Sequence, residues 1–541
     1  MDRRRFIRLT GLSAASLIFT RLDAAGLPTD TIDLPTSVSV LSGGQWTVLQ
    51  GSGDHWTQGP FEVLLKHNGA ALDIRLRAPG KELEKVKLSW RQAFDGSTRY
   101  LGDQWERSYG DLLWGPVAEP RKAPWYVLMN NGQETVCFGV KTGARTIADW
   151  ELSPGELNLV LDTHSGGEGV LLGDRTLSAA SVVTMKSKPG ETPFATDHRF
   201  CRLLCDTPRL PTQPVYGIND WYFAYGNNSK QLILETTKSM VDLATDTHNR
   251  PFSVIDDGWE TDDFQLSNAK FGEMPVVAAE IKKLGMRPGL WTRPLLARQK
   301  EATNRLLPVR KGQEGSKERY LDPTIPENEQ RIFETIKLYR EWGFDMVKHD
   351  YSTYDLLGRW GASMRPELTV PGWHCYRRQI TNAEIILRLY ETIRKAAGPM
   401  YLIGCNTMSH LSAGLFELNR IGDDTSGREW PRVSKYGVNT MGFRLPQHNT
   451  FYAADGDCVG VTTQIPWAKN RQWLQLLAES GAPLFISAQP EATGAEQKAY
   501  IKECFAMAAR VQPLGEPLDW MTNPTPAKWR LNGRVVEFDW S

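Results

Sequence analysis

Two kinds of hydrophobic patterning divide the chain. From about residue 30 to 205, short apolar–polar alternations recur, such as Trp46-Thr47-Val48-Leu49, Ala71-Leu72-Asp73-Ile74-Arg75-Leu76 and Thr135-Val136-Cys137-Phe138-Gly139-Val140. Gly, Pro, Asn and Asp punctuate them, and a period of two with frequent turns predicts an all-β sandwich. A proline-rich linker, Pro208-Arg209-Leu210-Pro211-Thr212-Gln213-Pro214, closes this region. Beyond it, apolar strand-like runs alternate with helical patterns. The strand candidates are Tyr216–Phe223, Phe252–Trp259, Arg287–Trp291, Met346–Tyr351, Met400–Asn406, Asn419–Thr425, Phe451–Val459 and Pro483–Gln489. The clearest helices are Gln231–Leu243, Glu329–Trp342, Ala383–Ala397 and Asn470–Ser480, followed by a last one over Ala495–Arg510. Eight strands with intervening helices predict an α/β fold, a (β/α)8 TIM barrel of about 300 residues. The organisation expected is an N-terminal β-sandwich over 30–207, the barrel over 208–514 and a short C-terminal β segment over 515–541.

Residues 1–29 have a different character. Arg3-Arg4-Arg5-Phe6-Ile7-Arg8 precedes an apolar stretch from Leu9 to Phe19 and small residues at Ala24-Ala25-Gly26. Charged, then apolar, then small is the layout of a signal peptide, and the paired arginines resemble a twin-arginine leader. That predicts a periplasmic or secreted protein; the alternative is a basic tail. Lys plus Arg and Asp plus Glu are 63 each, which argues against a nucleic-acid partner. No apolar run approaches the length of a membrane span. The 19 tryptophans fit either a sugar-binding cleft or a large core. Seven cysteines without a CxxC pair, and nine histidines, suggest neither a disulfide framework nor a zinc site.

Barrel chemistry sits where strands end at their C-terminal side. The second strand ends Val254-Ile255-Asp256-Asp257-Gly258-Trp259, two adjacent carboxylates beside a candidate apolar platform, Trp259. They fit hydroxyl binding, with loop capping as the alternative. The fourth ends Lys348-His349-Asp350-Tyr351, where Lys348 and Asp350 share one side of the strand. A lysine there keeps a nucleophilic carboxylate ionised, or forms a structural ion pair. The sixth ends Arg420-Ile421-Gly422-Asp423-Asp424-Thr425, and either carboxylate is a candidate general acid. Carboxylates from the fourth and sixth strands could face each other across the mouth, as a retaining or an inverting glycosidase requires.

These motifs resemble those of glycoside hydrolase family 36, and of its relative family 27, the melibiase-type α-galactosidases. The resemblance covers about residues 214 to 512, and a sandwich before the barrel matches the family 36 layout. It implies hydroxyl binding by Asp256 and Asp257 in place of the family's Leu-Asp-Asp-Gly-Trp, and a nucleophile at Asp350 with Lys348 as hydroxyl donor. The family's Ser-Asp-Asn-Thr-Asp reads Gly422-Asp423-Asp424-Thr425-Ser426 here, which makes Asp423 the acid/base; a register anchored on Arg420 gives the role to Asp424. Trp291 in Gly-Leu-Trp, Cys405 after the fifth strand, Arg420 and Trp221 complete the expected substrate-binding set. Departures are His349 for the usual aromatic, Asn406-Thr407-Met408-Ser409-His410 for a glycine-rich run, Ser426 for the last Asp, and Asn219-Asp220-Trp221-Tyr222 for Asn-Ser-Trp-Glu. They alter the pocket more than the catalytic pair. The implied activity is a retaining exo-α-galactosidase with a carbohydrate substrate and no metal or organic cofactor. The alternatives are α-N-acetylgalactosaminidase, a raffinose-synthase-like transglycosylase or a non-catalytic sugar-binding protein. A homo-oligomer supported by the sandwich is compatible with the pattern.

Overall fold

The computed structural model describes residues 31–541 except 93, 95, 119–120, 154 and 298–300. The expected leader therefore lies outside the described residues. No helix among the described residues is long and apolar enough to cross a membrane.

The N-terminal region is the predicted sandwich. One antiparallel sheet orders Ala123–Pro124, Ile147–Ser153, Gly155–Asp162, Lys85–Gln92, Ser37–Ser42 and Gln45–Val48; a nine-stranded sheet faces it, with Leu177–Lys186 and Ala71–Arg77 near its centre. Leu72, Ile74 and Leu76 are buried, as the alternation requires. One element departs from the all-β expectation: Pro193–Leu204 is a helix. Thr192 accepts a bond from the Ala195 N–H, Pro193 occupies the first turn, and Phe194, Phe200, Leu203 and Leu204 are buried.

The second region is a barrel of eight parallel strands. They are β1 Tyr216–Asn219, β2 Phe252–Ile255, β3 Arg287–Thr292, β4 Met346–His349, β5 Tyr401–Gly404, β6 Leu418–Arg420, β7 and β8 Leu484–Ala488. Strand β7 is split into Ala453–Asp455, which pairs with β6, and Cys458–Val461, which pairs with β8; together they close the ring. The break falls at Gly456-Asp457, where Asp457 takes a left-handed backbone with φ 78°. Helices Lys230–Val241, Met274–Leu284, Pro326–Glu341, Asn382–Ala397, Trp467–Ser480 and Ala495–Ala508 form the outer ring. After β5 the helix shrinks to Ser409–Ser412, and after β6 it is a composite containing a π-helical stretch, Val433–Val438. The first strand is shorter than its pattern suggested, because Trp221–Ala224 is a helical turn.

The two-residue period of a strand builds the lumen in layers. Phe252, Val254, Met346, Tyr401, Ile403, Leu418, Ala453, Cys458 and Phe485 form an apolar cluster separate from the main core. Arg287 caps it, its guanidinium 4.2 Å from the Phe252 ring centroid and 4.9 Å from that of Tyr401. Two residues further along each strand, the same face carries Asp256 after Val254, Lys348 after Met346, Cys405 after Ile403 and Arg420 after Leu418. Polar chemistry is thereby confined to one end of a packed lumen.

A loop of the sandwich is fastened onto that end. Ser108 pairs with Gly422: its N–H donates to the Ile421 carbonyl at 2.9 Å and its carbonyl accepts from the Asp423 N–H at 2.7 Å. The buried Arg444 stands behind it, 2.8 Å from Asp103 and donating to the carbonyls of Glu106 and Ile421. Glu106 accepts from the Gly361 N–H, Tyr109 Oη and Asn406 Nδ2, and burial pushes its carboxyl up to about 7.

Two outcomes follow from this junction. Arg444→Met leaves Asp103 buried without its cation and should destabilise the fold by about 3–5 kcal/mol, read as a lower denaturation midpoint. A carboxyl raised on folding favours the folded state below its ordinary pKa and loses that contribution as pH rises through the folded value. Tm should therefore fall between pH 5 and 8, and Glu106→Gln should flatten that fall.

Candidate functional site

The polar end of the barrel gathers residues from six strand ends and the docked loop. Asp256, after β2, lies in the lumen: its Oδ2 accepts from Lys348 Nζ at 2.7 Å and Asn219 Nδ2 at 2.7 Å, and its Oδ1 accepts from the Asp257 N–H at 2.9 Å. Burial opposes the Lys348 charge, but Asp256 first, then the Cys405 thiol and Asp350, hold its pKa well above the ordinary value. Asp220, after β1, accepts from the Asp256 N–H at 2.7 Å and from Asn228 Nδ2 at 2.8 Å; burial first and Asp256 second raise it to about 7. Asp257 has the opposite strand parity and is half-buried. Gly258 follows with φ 110°, and a Cβ there would meet the Gly226 carbonyl at 2.6 Å, so the turn after the aspartates requires glycine.

Asp350 ends β4. Its Oδ1 accepts from the N–H groups of Tyr351 at 2.7 Å and Asn406 at 3.1 Å, and its Oδ2 accepts from Trp291 Nε1 at 3.2 Å. Three donors from two strand ends and the following turn thus fix the plane of the carboxylate. Tyr351 adopts a left-handed backbone, φ 62°, immediately after it, a conformation that costs a β-carbon residue energy and that the bonds to Asp350 hold in place.

Asp423 and Asp424 follow β6 and face different partners. Asp423 is clasped from both sides: Arg107 Nη2 lies 2.9 Å from Oδ1 and Arg432 Nη2 lies 3.3 Å from Oδ2. Burial raises its pKa against the pull of Arg107. Asp424 receives Arg420 Nη2 at 2.9 Å and Arg107 Nη1 at 3.3 Å, both on Oδ1. Burial works upward, but Arg107, Arg420 and Lys348 together pull it down to about 2. The Asp424 side chain is 36% exposed and that of Asp423 14%, so Asp424 is the more open of the two. Arg420 itself is anchored 2.8 Å from the buried Asp457 in the break of β7, which also accepts from Tyr222 Oη and the Thr425 N–H.

Most residues expected from the sequence meet here: Asp256, Lys348, Asp350, Trp291, Arg420, Asp423 and Asp424. Cys405 joins them as a buried thiol, 3.8 Å from both Arg107 and Arg420, its pKa pushed well up by burial. Trp221 sits half-buried at the rim, 5.6 Å from Tyr225 between centroids. Trp259 is a correction. It is 0% exposed, donates to the Trp291 carbonyl at 3.0 Å and packs edge-on against Tyr339 and Trp342. Its parity, three residues after the inward Asp256, turns it away from the lumen, so it supports Trp291 from behind instead of offering a sugar platform. His349 likewise points outward and packs edge-on against Tyr390 and Phe416, with burial lowering it to about 3.

Sequence reasoning missed Arg107, Glu106, Asp220, Asp457 and Arg432. Asp220 carried a signal, a carboxylate directly after a strand. Arg107 carried none, because it lies 313 positions before Arg420 in a stretch without a motif.

No family model and no curated protein matches the sequence. Solved structures do. The alpha-galactosidase TtGalA from Thermus thermophilus superposes with a TM-score of 0.62 at 18% identity, covering 93% of this chain and 99% of that one. The family 36 alpha-galactosidase AgaA from Geobacillus stearothermophilus gives 0.57 at 13% identity, covering 93% and 82%. The galactosidase domain of AgaSK, an alpha-galactosidase-sucrose kinase, gives 0.59 at 16%, covering 90% and 76%. The chain therefore has the fold of the family 36 α-galactosidases, sandwich and barrel together.

Proposed function

We propose that the protein is a retaining exo-α-glycosidase that removes terminal α-galactosyl residues from oligo- or polysaccharides. The observation that carries this reading is the placement of Asp350 and the Asp423–Asp424 pair on strand ends of one lumen, above a buried Lys348–Asp256 pair of hydroxyl-binding character. Structures sharing the fold were determined with p-nitrophenyl α-D-galactopyranoside, stachyose and raffinose, which supports galactose as the recognised sugar. The basic–apolar–small pattern of residues 1–29 supports export as part of the same proposal.

In this reading Asp350 attacks the anomeric carbon as the bond to the leaving oxygen breaks, and the acid/base carboxyl gives that oxygen its proton. Water then loses a proton to the same carboxylate, attacks the anomeric carbon and releases Asp350. Asp256 and Lys348 hold sugar hydroxyls, so the ring is oriented before chemistry. The motif register and the burial that raises its pKa favour Asp423 as acid/base, whereas cations hold Asp424 down to about 2; the more open side chain favours Asp424. Both Asp423 oxygens are occupied by arginines, whereas both cations on Asp424 lie on Oδ1. Asp424 also stands within electrostatic reach of Lys348 and of Tyr351, which follows the nucleophile. A sugar that excludes water from Asp424 strengthens the burial that already works to raise its pKa against Arg107, Arg420 and Lys348.

Asp350→Ala should lower kcat on α-galactosides by at least about 10⁴-fold, and azide should restore turnover with β-galactosyl azide as product. Full activity of this variant would refute the mechanism. Asp424→Asn should cut kcat/KM on melibiose by about 10²–10⁴-fold while sparing α-galactosyl fluoride, whose leaving group needs no proton. The same pattern in Asp423→Asn instead would move the role to Asp423. Removing a cation beside an acid favours its protonated form, so Arg107→Gln should shift the alkaline limb of the kcat/KM–pH profile upward.

A further inference from the structure

The loop after β4 carries aromatic rings that the catalytic reading does not use. Tyr351, adjacent to Asp350, has its ring centroid 6.0 Å from that of Trp360, and Trp360 lies 4.6 Å from Tyr354 at an interplanar angle of 33°. Trp360 is 37% exposed, although most tryptophans in this chain are buried. Its exposure is not that of a frayed segment. The Trp360 N–H donates to Ser363 Oγ at 3.1 Å, and Ser363 Oγ donates back to the Trp360 carbonyl at 2.6 Å. The next residue, Gly361, donates to Glu106 Oε1 at 2.8 Å. With φ 49° and a would-be Cβ 2.8 Å from the Tyr109 ring, Gly361 lets the turn sit directly on the docked sandwich loop. Arg365 pairs with Asp111 at the other end of the turn. An indole fixed by its backbone and left open on its surface is a pre-organised binding face.

Its position says which part of a ligand it meets. The Tyr351 N–H donates to Asp350 Oδ1 at 2.7 Å and its ring lies 4.2 Å from the Arg293 guanidinium, so the aromatic row starts beside the carboxylate that would attack the sugar. Trp360 is the next ring outward. We propose that Trp360, backed by Tyr351 and Tyr354, is the platform for the leaving-group sugar. This rests on the α-galactosidase reading given above. A pyranose ring presents C–H groups on its faces and hydroxyls at its edge, and stacking on an indole satisfies the first while leaving the second to water.

The test compares two substrates that share the galactosyl group and differ in what leaves: melibiose, which releases glucose, and α-galactosyl fluoride, which releases no ring. Trp360→Ala should lower kcat/KM for melibiose about tenfold, the scale of one good aromatic contact, and leave that for the fluoride within about twofold. Trp360→Phe, which keeps an aromatic face, should recover most of the loss. Equal losses on both substrates, or no loss on melibiose, would overturn the platform. Absence of fluoride release by the unaltered protein would instead overturn the proposed function itself, so the two failures are distinguishable.

Discussion

The site depends on one junction, the backbone pairing of Ser108 with the end of β6, backed by Arg444. Strand ends of a barrel can present side chains toward the lumen only from their own positions. The sixth strand is three residues long, and the chain after it would be free to splay. Pairing Ser108 with Gly422 extends the ordered backbone past Arg420 and fixes where Asp423 and Asp424 begin. Arg444 satisfies the carbonyls of Glu106 and Ile421 together, so the loop and the strand end are tied through one buried guanidinium. An arginine suits this task because its planar fork reaches several acceptors at once.

The same junction sets the electrostatics. Arg107 enters from the sandwich and contacts both members of the carboxylate pair, while Arg420 enters from the barrel and contacts only Asp424. Two adjacent carboxyls with similar covalent chemistry are thereby pushed apart, Asp423 upward by burial and Asp424 down to about 2 by cations. Separating neighbouring carboxyls in this way is how one site can supply different proton affinities. Glu106 joins in from the side, holding Asn406, whose N–H also fixes Asp350. The sandwich is thus a contributor to the site and not only a support for the barrel.

Aromatic residues divide between two jobs. Trp259 is buried behind Trp291, which in turn donates to Asp350, so the first indole stiffens the second and the second orients a carboxylate. Trp360 lies on a turn held by Glu106 and keeps part of its surface in solvent. Composition could not separate these uses, because burial is decided by which face of which element a residue occupies.

The sequence by itself determined the sandwich, the eight strands and the placement of Asp256, Lys348 and Asp350, because these rest on local periodicity; Cys405 and Arg420 were expected from the family resemblance. A period of two fixes which side of a strand a residue takes, and an apolar run followed by a polar residue marks the strand's open end. The helix Pro193–Leu204 escaped because it docks on a sheet whose alternation dominates that region. The fate of Trp259 was set by parity beyond the strand end, which the motif Asp-Asp-Gly-Trp does not display. Only the tertiary structure decided the partners of Asp423 and Asp424. Arg107 is 316 and 317 positions away from them, on a strand connection with no motif of its own, and nothing local in a chain specifies which distant loop will be pressed against it. The division follows the range of the forces: backbone geometry and burial alternate over a few residues, whereas a buried ion pair exists only once two domains have met.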